Sequence, residues 1–188
     1  SLRTSKENYH YGGICMNEGW MLPREVFEWI SQTIPEGANI LEFGSGDGSQ
    51  ILSKKYQLWS VEHNQEWVGV SQSNYIFAPI VDNPESSVAG EKGWYDPELF
   101  DSTPSRVEVI IIDGPPGVIG RTGICSFLER LPKFNFIIVD DTDRPAEKEL
   151  SGKIQLFFDC ECEEFTCVQV KSNGDSRKFD LLKYTGVD

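Results

Sequence analysis

Ile40-Leu41-Glu42-Phe43-Gly44-Ser45-Gly46-Asp47-Gly48-Ser49 is the stretch on which the fold of this 188-residue chain turns. A short apolar run, Asn39–Phe43, delivers the backbone to a cluster of glycines, and Gly48–Lys55 then reads as a helix. Glycines at such a turn permit positive φ and let a ligand approach the main chain, while the helix behind them begins with free N–H groups.

Three ligand classes compete for a loop of this kind. A dinucleotide fingerprint is G-x-G-x-x-G with a pyrophosphate on the helix N-terminus. Here the spacing is G-x-G-x-G, and Glu42, two residues before the first glycine, would face a pyrophosphate badly. A phosphate-binding P-loop needs Gly-Lys-Ser/Thr, which is absent. An acid just before the glycines instead suits a ligand with a positive amino group and a sulfonium, which is S-adenosylmethionine. Glu62 ends the next apolar run, Gln57–Glu62, twenty residues after Glu42. A carboxylate there can accept hydrogen bonds from both ribose hydroxyls. The cofactor set is thus Glu42, Gly44, Ser45, Gly46, Gly48 and Glu62, with His63 flanking the adenine or solvent. The competing reading is a glycine turn and a surface Glu in a cofactor-free α/β domain.

Outward from the loop the pattern alternates. Residues 1–20 are polar with scattered aromatics and read as an arm or lid, and 21–188 as one domain. Arg24–Ile34 has helical apolar spacing behind Pro23. Asn64–Gln72 is expected to be a helix, Tyr75–Val81 a strand, and 82–105 a long functional loop in which Trp94 and Tyr95, like Tyr11 and Trp20, are candidate pocket walls or packing residues. Val107–Ile112 and Phe134–Val139 are continuous apolar runs, as for parallel strands buried on both faces. Arg121–Leu131 and Arg144–Phe158 read as helices, and Phe165–Val170 with Phe179–Tyr184 as a hairpin around Ser172-Asn173-Gly174-Asp175. Alternation of this kind implies an α/β fold, a mostly parallel, doubly wound sheet with helices on both faces, closed by a C-terminal antiparallel hairpin.

Composition narrows the partners. The formal net charge is −13, which repels phosphate backbones, so no nucleic-acid partner is expected. The pairs Lys54-Lys55 and Arg177-Lys178 read as solvated surface. Five scattered cysteines argue for reduced thiols rather than a disulfide framework or zinc site. No stretch is long and apolar enough for a membrane segment. No signal-peptide pattern opens at Ser1, so a cytoplasmic protein is expected, with an anchor upstream of Ser1 left open. Edges near the final hairpin are a candidate surface for a homo-oligomer.

The run LEFGSGDGS at 41–49 followed by SVEHN at 60–64 resembles the first two motifs of class I S-adenosylmethionine-dependent methyltransferases. The resemblance covers about residues 20–188. It implies a Rossmann-like, seven-stranded sheet, with Glu42 near the methionine amino end, Glu62 on the ribose, and Asp82, beyond the third strand, as a further candidate near the adenine.

Two more buried runs end in acids, Asp113 after one and Asp140-Asp141 after the other. Ligands of open α/β sheets bind at the carboxyl ends of strands, so these acids lie on the cofactor side. Converging carboxylates repel unless a cation, a proton or a basic residue compensates. Their placement is similar to that in catechol-type O-methyltransferases, which implies a divalent metal such as Mg2+ held by Asp113, Asp140 and Asp141. The base of those enzymes, a lysine three residues after the first aspartate, is Pro116 here, so that role does not carry over. Arg121 or Arg144 could neutralise the acids instead, and Asp141 or Asp143 could cap the helix that follows. The wider pattern WYDPELF, IDGPPG and VDDTDRPAE resembles methyltransferase family 24 and cephalosporin-hydroxylase-type relatives. Together these readings imply methyl transfer to a small-molecule acceptor, at oxygen, either assisted by a metal or with Asp113 or Asp140 as general base. The alternatives are a cofactor-binding relative without catalysis, or another adenosylmethionine-using transferase.

Overall fold

The computed structural model describes residues 8–11, 14–17, 22–82 and 93–186. In chain order its elements are β1 (Asn8–Tyr11), β2 (Ile14–Asn17), α1 (Arg24–Thr33), β3 (Asn39–Phe43), α2 (Asp47–Lys55), β4 (Gln57–Glu62), β5 (Asn74–Phe77) and β6 (Ile80–Val81). They continue with β7 (Trp94–Tyr95), β8 (Val109–Ile112), β9 (Phe136–Asp140), α3 (Pro145–Phe158), β10 (Cys160–Val170) and β11 (Ser176–Tyr184). Seven of the strands form one sheet in the order β10-β11-β9-β8-β3-β4-β5. The pairs from β9 through β5 are parallel, and β11 runs antiparallel to both β9 and β10.

The apolar runs are explained by burial on two sides. Alternate side chains of a strand leave opposite faces. Ile110 and Ile112 therefore join Leu41, Phe43 and Ile137 in one core, with Leu150 and Ile154 of α3. Val109 and Ile111 join Ile40, Leu58 and Ile138 in the other, with Phe27 and Ile30 of α1 and Leu52 of α2. All four residues of β8 are buried, as a central parallel strand requires.

Several expected elements change form. Asn64–Gln72 is not a helix. A single 3-10 turn, Gln65–Trp67, follows an Asn64 side chain that accepts from Glu66 N–H at 3.1 Å. Val68 is then extended and Gly69 turns left-handed at φ 89°, which ends the turn. The strand expected over Tyr75–Val81 breaks at Pro79, which has no N–H to donate. Its second half is β6, which pairs with β7 outside the main sheet. Arg121–Leu131 is 3-10 over Thr122–Arg130 and kinks at Phe127, whose ring stacks on Trp94 at 5.5 Å. Within the expected loop 82–105, Trp94 and Tyr95 are fully buried strand residues and Pro97–Asp101 is a 3-10 turn. Residues 83–92 lie outside the described residues. Of the expected arm, β1 and β2 form an antiparallel hairpin whose second strand comes against α2, while Trp20 lies outside the described residues.

The chain runs from β3 outward to β5, then returns to the other side of β3 with β8. Strand order reverses between β3 and β8, and a crevice forms at the carboxyl ends of such a pair. Here the two turns touch. Gly44 has φ 94°, and a Cβ on it would lie 2.8 Å from the Asp113 carbonyl oxygen. A Cβ on Gly114 would lie 2.8 Å from Gly44 Cα. Gly37 also has positive φ, at 84°, but open space around it. Gly37→Ala is therefore expected to cost about 1–2 kcal/mol, the conformational term alone. Gly44→Ala adds a backbone clash and should cost clearly more, as read from urea unfolding midpoints of the two variants.

Candidate functional site

Glu62 ends β4 with 3% of its surface exposed. Its Oε1 accepts the Ser45 hydroxyl at 2.7 Å, and its Oε2 accepts the Asn64 N–H at 2.8 Å and lies 3.2 Å from His63 Nδ1. The glycine loop is thus tied to the end of the neighbouring strand through one carboxylate. Glu42 lies deeper, also 3% exposed. Its Oε1 accepts hydroxyls from Ser49 in the first turn of α2 and from Ser60 of β4, the latter at 2.6 Å. Gly46 N–H in turn donates to Ser49 Oγ at 3.1 Å, so Glu42 braces the loop from within. Burial pushes the Glu42 carboxyl up from 4.5 to about 7, over the opposing pull of the Ser49 and Ser60 hydroxyls, and Glu62 adds to the rise.

On the other side of the crevice the three aspartates come together, each offering an oxygen within 4.8 Å of the others. Asp140 is fully buried at the end of β9. Its Oδ2 accepts from Arg177 Nη2 at 2.5 Å and its Oδ1 from Asp141 N–H at 2.8 Å. Asp141 adopts φ 59° and meets Arg121 at 3.1 Å, Arg144 at 3.2 Å, Lys171 at 3.2 Å and Arg177 at 3.6 Å. Burial raises its carboxyl, but Arg121, Arg177, Arg144 and Lys171 outweigh that and hold it at about 2. Asp113 keeps 25% of its side chain exposed. Burial of the remainder, together with the Asp140 carboxylate, raises its carboxyl well above the usual range, against the pull of Arg121. Arg121 lies 3.7 Å from that carboxylate and donates to the Asp113 and Pro115 carbonyls at 3.1 and 2.9 Å.

No family model matches the chain, and no curated protein sequence does, so the resemblance to methyltransferase family 24 rests on its short motifs. Solved structures do match. The O-methyltransferase from Bacillus cereus in complex with SAH superposes with a TM-score of 0.54 at 12% identity, over 87% of this chain and 83% of that one. An rRNA methylase from Streptococcus thermophilus gives 0.53 at 10% identity, over 88% of this chain and 99% of that one. The fold is that of the class I S-adenosylmethionine-dependent methyltransferases.

Within that methyltransferase fold, the residues singled out from sequence divide into groups. Gly44, Ser45, Gly46 and Glu62 stand together at the strand ends, with His63 beside Glu62 and 6.4 Å from the Tyr95 ring. The Glu62 carboxylate is held in a fixed direction by the Ser45 hydroxyl and the Asn64 N–H. Gly48 is buried in α2. Asp82 is exposed after β6, and no hydrogen bond or ion pair among the described residues joins it to the loop. The α3 N-cap is Arg144, so neither Asp141 nor Asp143 caps that helix. Asp143 instead meets Lys171 at 2.5 Å.

The aspartates do not fit a divalent ion. Such ions take oxygens with free lone pairs. Here Asp113, Asp140, Asp141, Asp143 and Glu147 are met by Arg121, Arg144, Lys171 and Arg177. A metal would have to displace a guanidinium from Asp140 and several cations from Asp141. Neutralisation by arginine, the alternative open from sequence, is what the side chains do. Arg177 was expected on the surface beside Lys178 and is buried at 7% exposure. Alternation along β11 is the signal that separates them, since neighbours in a strand face opposite sides. Lys171 and Ser60 were not singled out at all.

Two outcomes follow from this geometry. A carboxyl raised on folding keeps a proton that the unfolded chain releases, so Glu42 makes stability fall as pH rises from 4.5 to about 7. Glu42→Gln should remove about 3 kcal/mol of that fall, read from urea midpoints across the window. Arg177→Met leaves Asp140 buried and uncompensated, and is expected to cost about 3–5 kcal/mol in the same assay at neutral pH.

Proposed function

We propose that the chain is an S-adenosylmethionine-dependent methyltransferase acting on a small molecule, at oxygen, without a metal and with Asp113 as general base. The observation that carries this reading is the pairing across the crevice. A buried ribose-type acid, Glu62, stands on one side. On the other stands Asp113, the partly exposed member of the aspartate group, with its backbone against Gly44.

Adenosylmethionine, when bound, supplies a methyl group already activated on a sulfonium. The glycine loop and Glu62 hold and orient its adenosine end, and Glu42 stiffens the loop beneath it. Asp113 accepts the acceptor's hydroxyl proton as the oxygen–methyl bond forms and the sulfur–methyl bond breaks, leaving S-adenosylhomocysteine. Arg121 holds the turn that carries Asp113, through the Asp113 and Pro115 carbonyls. Asp140, sealed and paired with Arg177, is unsuited to this role.

A net charge of −13 favours a small acceptor over nucleic acid. Among the described residues no helix is long and apolar enough to cross a membrane. The free thiols of Cys125, Cys160, Cys162 and Cys167 favour a reducing compartment such as the cytoplasm. The exposed edge strand β10, with Val168 and Val170 outward, is the surface a homo-oligomer would use. The second reading, cofactor binding without catalysis, draws on Pro116 standing where catechol-type enzymes have their base.

Calorimetry with adenosylmethionine and adenosylhomocysteine, followed by transfer assays on hydroxylated small molecules and on RNA, separates these readings. Binding of both compounds and transfer to a small hydroxyl is expected, and binding of neither overturns the proposal. Binding without transfer to any acceptor favours the second reading. Asp113→Asn should lower kcat by roughly 10²–10⁴ while leaving the adenosylmethionine Kd nearly unchanged.

A further inference from the structure

Arg144 stands apart from the other cations of the acidic side. Its Nη2 donates to Glu147 Oε1 at 3.0 Å and lies 3.2 Å from Asp141 Oδ2. Its Nε is buried without a partner, and its Nη1 makes no hydrogen bond among the described residues. The side chain is 36% exposed, against 23% for Lys171, 8% for Arg177 and 6% for Arg121. One nitrogen of this guanidinium thus serves the acids, and its far side faces out.

The turn after β8 makes room for that far side. A Cβ on Gly117 would lie 2.7 Å from Arg144 Nη1 and 3.2 Å from Arg144 Cζ. Gly117 has no positive φ, so the approach of the guanidinium accounts for a glycine there and backbone conformation does not. Pro116, Gly117 and Val118 are all exposed, and they give the guanidinium an apolar rim.

A single carboxylate separates Arg144 from Asp113. Asp141 offers an oxygen within 4.8 Å of one on Asp113, and it meets Arg144 Nη2 at 3.2 Å. A compound with its hydroxyl at Asp113 needs only a short frame to bring a second group to Nη1. A guanidinium only donates, and its strongest pairs are with anions. A single negative charge suits this place better than two, because Asp141 and Glu147 already stand on the same guanidinium.

We propose that Arg144, laid on Gly117, is the specificity-determining residue of the acceptor site and selects hydroxylated carboxylic acids with an apolar body. This rests on the methyltransferase reading above, with Asp113 at the acceptor hydroxyl. Nη1 pairs with the carboxylate, while Pro116 and Val118 flank the frame between the two groups. The sulfonium of the donor is positive, so an anionic acceptor balances the loaded crevice.

The test is a titration of ortho-, meta- and para-hydroxybenzoate, each beside its uncharged amide, into protein saturated with adenosylhomocysteine. Ligand-observed NMR follows binding to wild type, Gly117→Ala and Arg144→Lys. Wild type is expected to bind at least one acid about tenfold more tightly than its amide. Gly117→Ala leaves every charge in place but sets a Cβ where Nη1 lies, and should lose most of that preference. Its urea midpoint and its Kd for adenosylhomocysteine should stay near those of wild type, because the Cβ meets only the end of a flexible side chain. Arg144→Lys keeps the charge without the planar fork and should fall between the two. If the Gly117→Ala midpoint drops, the ratio in Arg144→Lys decides by the same criterion. Equal binding of acid and amide by wild type, or binding of neither, overturns the proposal and leaves the methyltransferase reading in place. A preference that survives unchanged in both variants overturns it as well, since the anion is then held elsewhere. Wild type that does not bind adenosylhomocysteine overturns the methyltransferase reading and this inference with it.

Discussion

The approach of two backbones at Gly44 and Gly114 sets the geometry of everything around it. Neither turn has room for a side chain toward the other. With the main chains in contact, the described side chains nearest the junction come from its flanks: Glu62 from β4, Asp113 from the end of β8, and Tyr95 from β7. The sheet topology puts β3 and β8 side by side, and the glycines convert that adjacency into a shared wall. A bulkier residue at either position would push the Glu62 side of the crevice away from its acidic side.

The acidic side is held by compensation. Five carboxylates gathered beyond the carboxyl ends of β8 and β9 would be unstable alone, and four cations from three different regions meet them. Arg121 comes from the start of the kinked 3-10 segment, Arg144 from the cap of α3, Lys171 and Arg177 from the closing hairpin. The whole chain is strongly acidic while this cluster is close to neutral. That local balance sets Asp113 apart. It is farther from its cation than Asp140 or Asp141, keeps a path to solvent, and feels Asp140 beside it.

The sheet was legible because its strands obey simple burial rules. Continuous apolar runs at β8 and β9 can be satisfied only by cover on both faces, and the glycine loop marks the strand beside the crevice. The segments that changed form have different causes. Phe127 kinks its segment where it stacks on Trp94, whereas Gly69, with open space around it, ends its turn by its own positive φ. In the site, Glu62 and the aspartates stood out as acids at strand ends. Arg177 did not, because a pair of basic residues in sequence looks like surface until strand alternation sends them to opposite faces. Lys171 was hidden further, since only the register of the hairpin brings it to Asp141 and Asp143. Tyr95 was visible as an aromatic in a loop, but its complete burial is a property of three-dimensional packing.

The hairpin also ties the sheet to its charge balance. Strand β11, the final element of the sheet, is inserted between β9 and β10 rather than added at an edge. As the chain leaves the ribosome, Asp113, Asp140 and Asp141 emerge well before Lys171 and Arg177. Without those two, Arg121 and Arg144 are the cations among the described residues that would still meet the aspartates, and β9 would lose its antiparallel neighbour. Domains generally fold as units, so the charge balance of the crevice depends on the same strand that completes the sheet. One hairpin thus both closes the seven-stranded sheet and brings Lys171 and Arg177 to its aspartates.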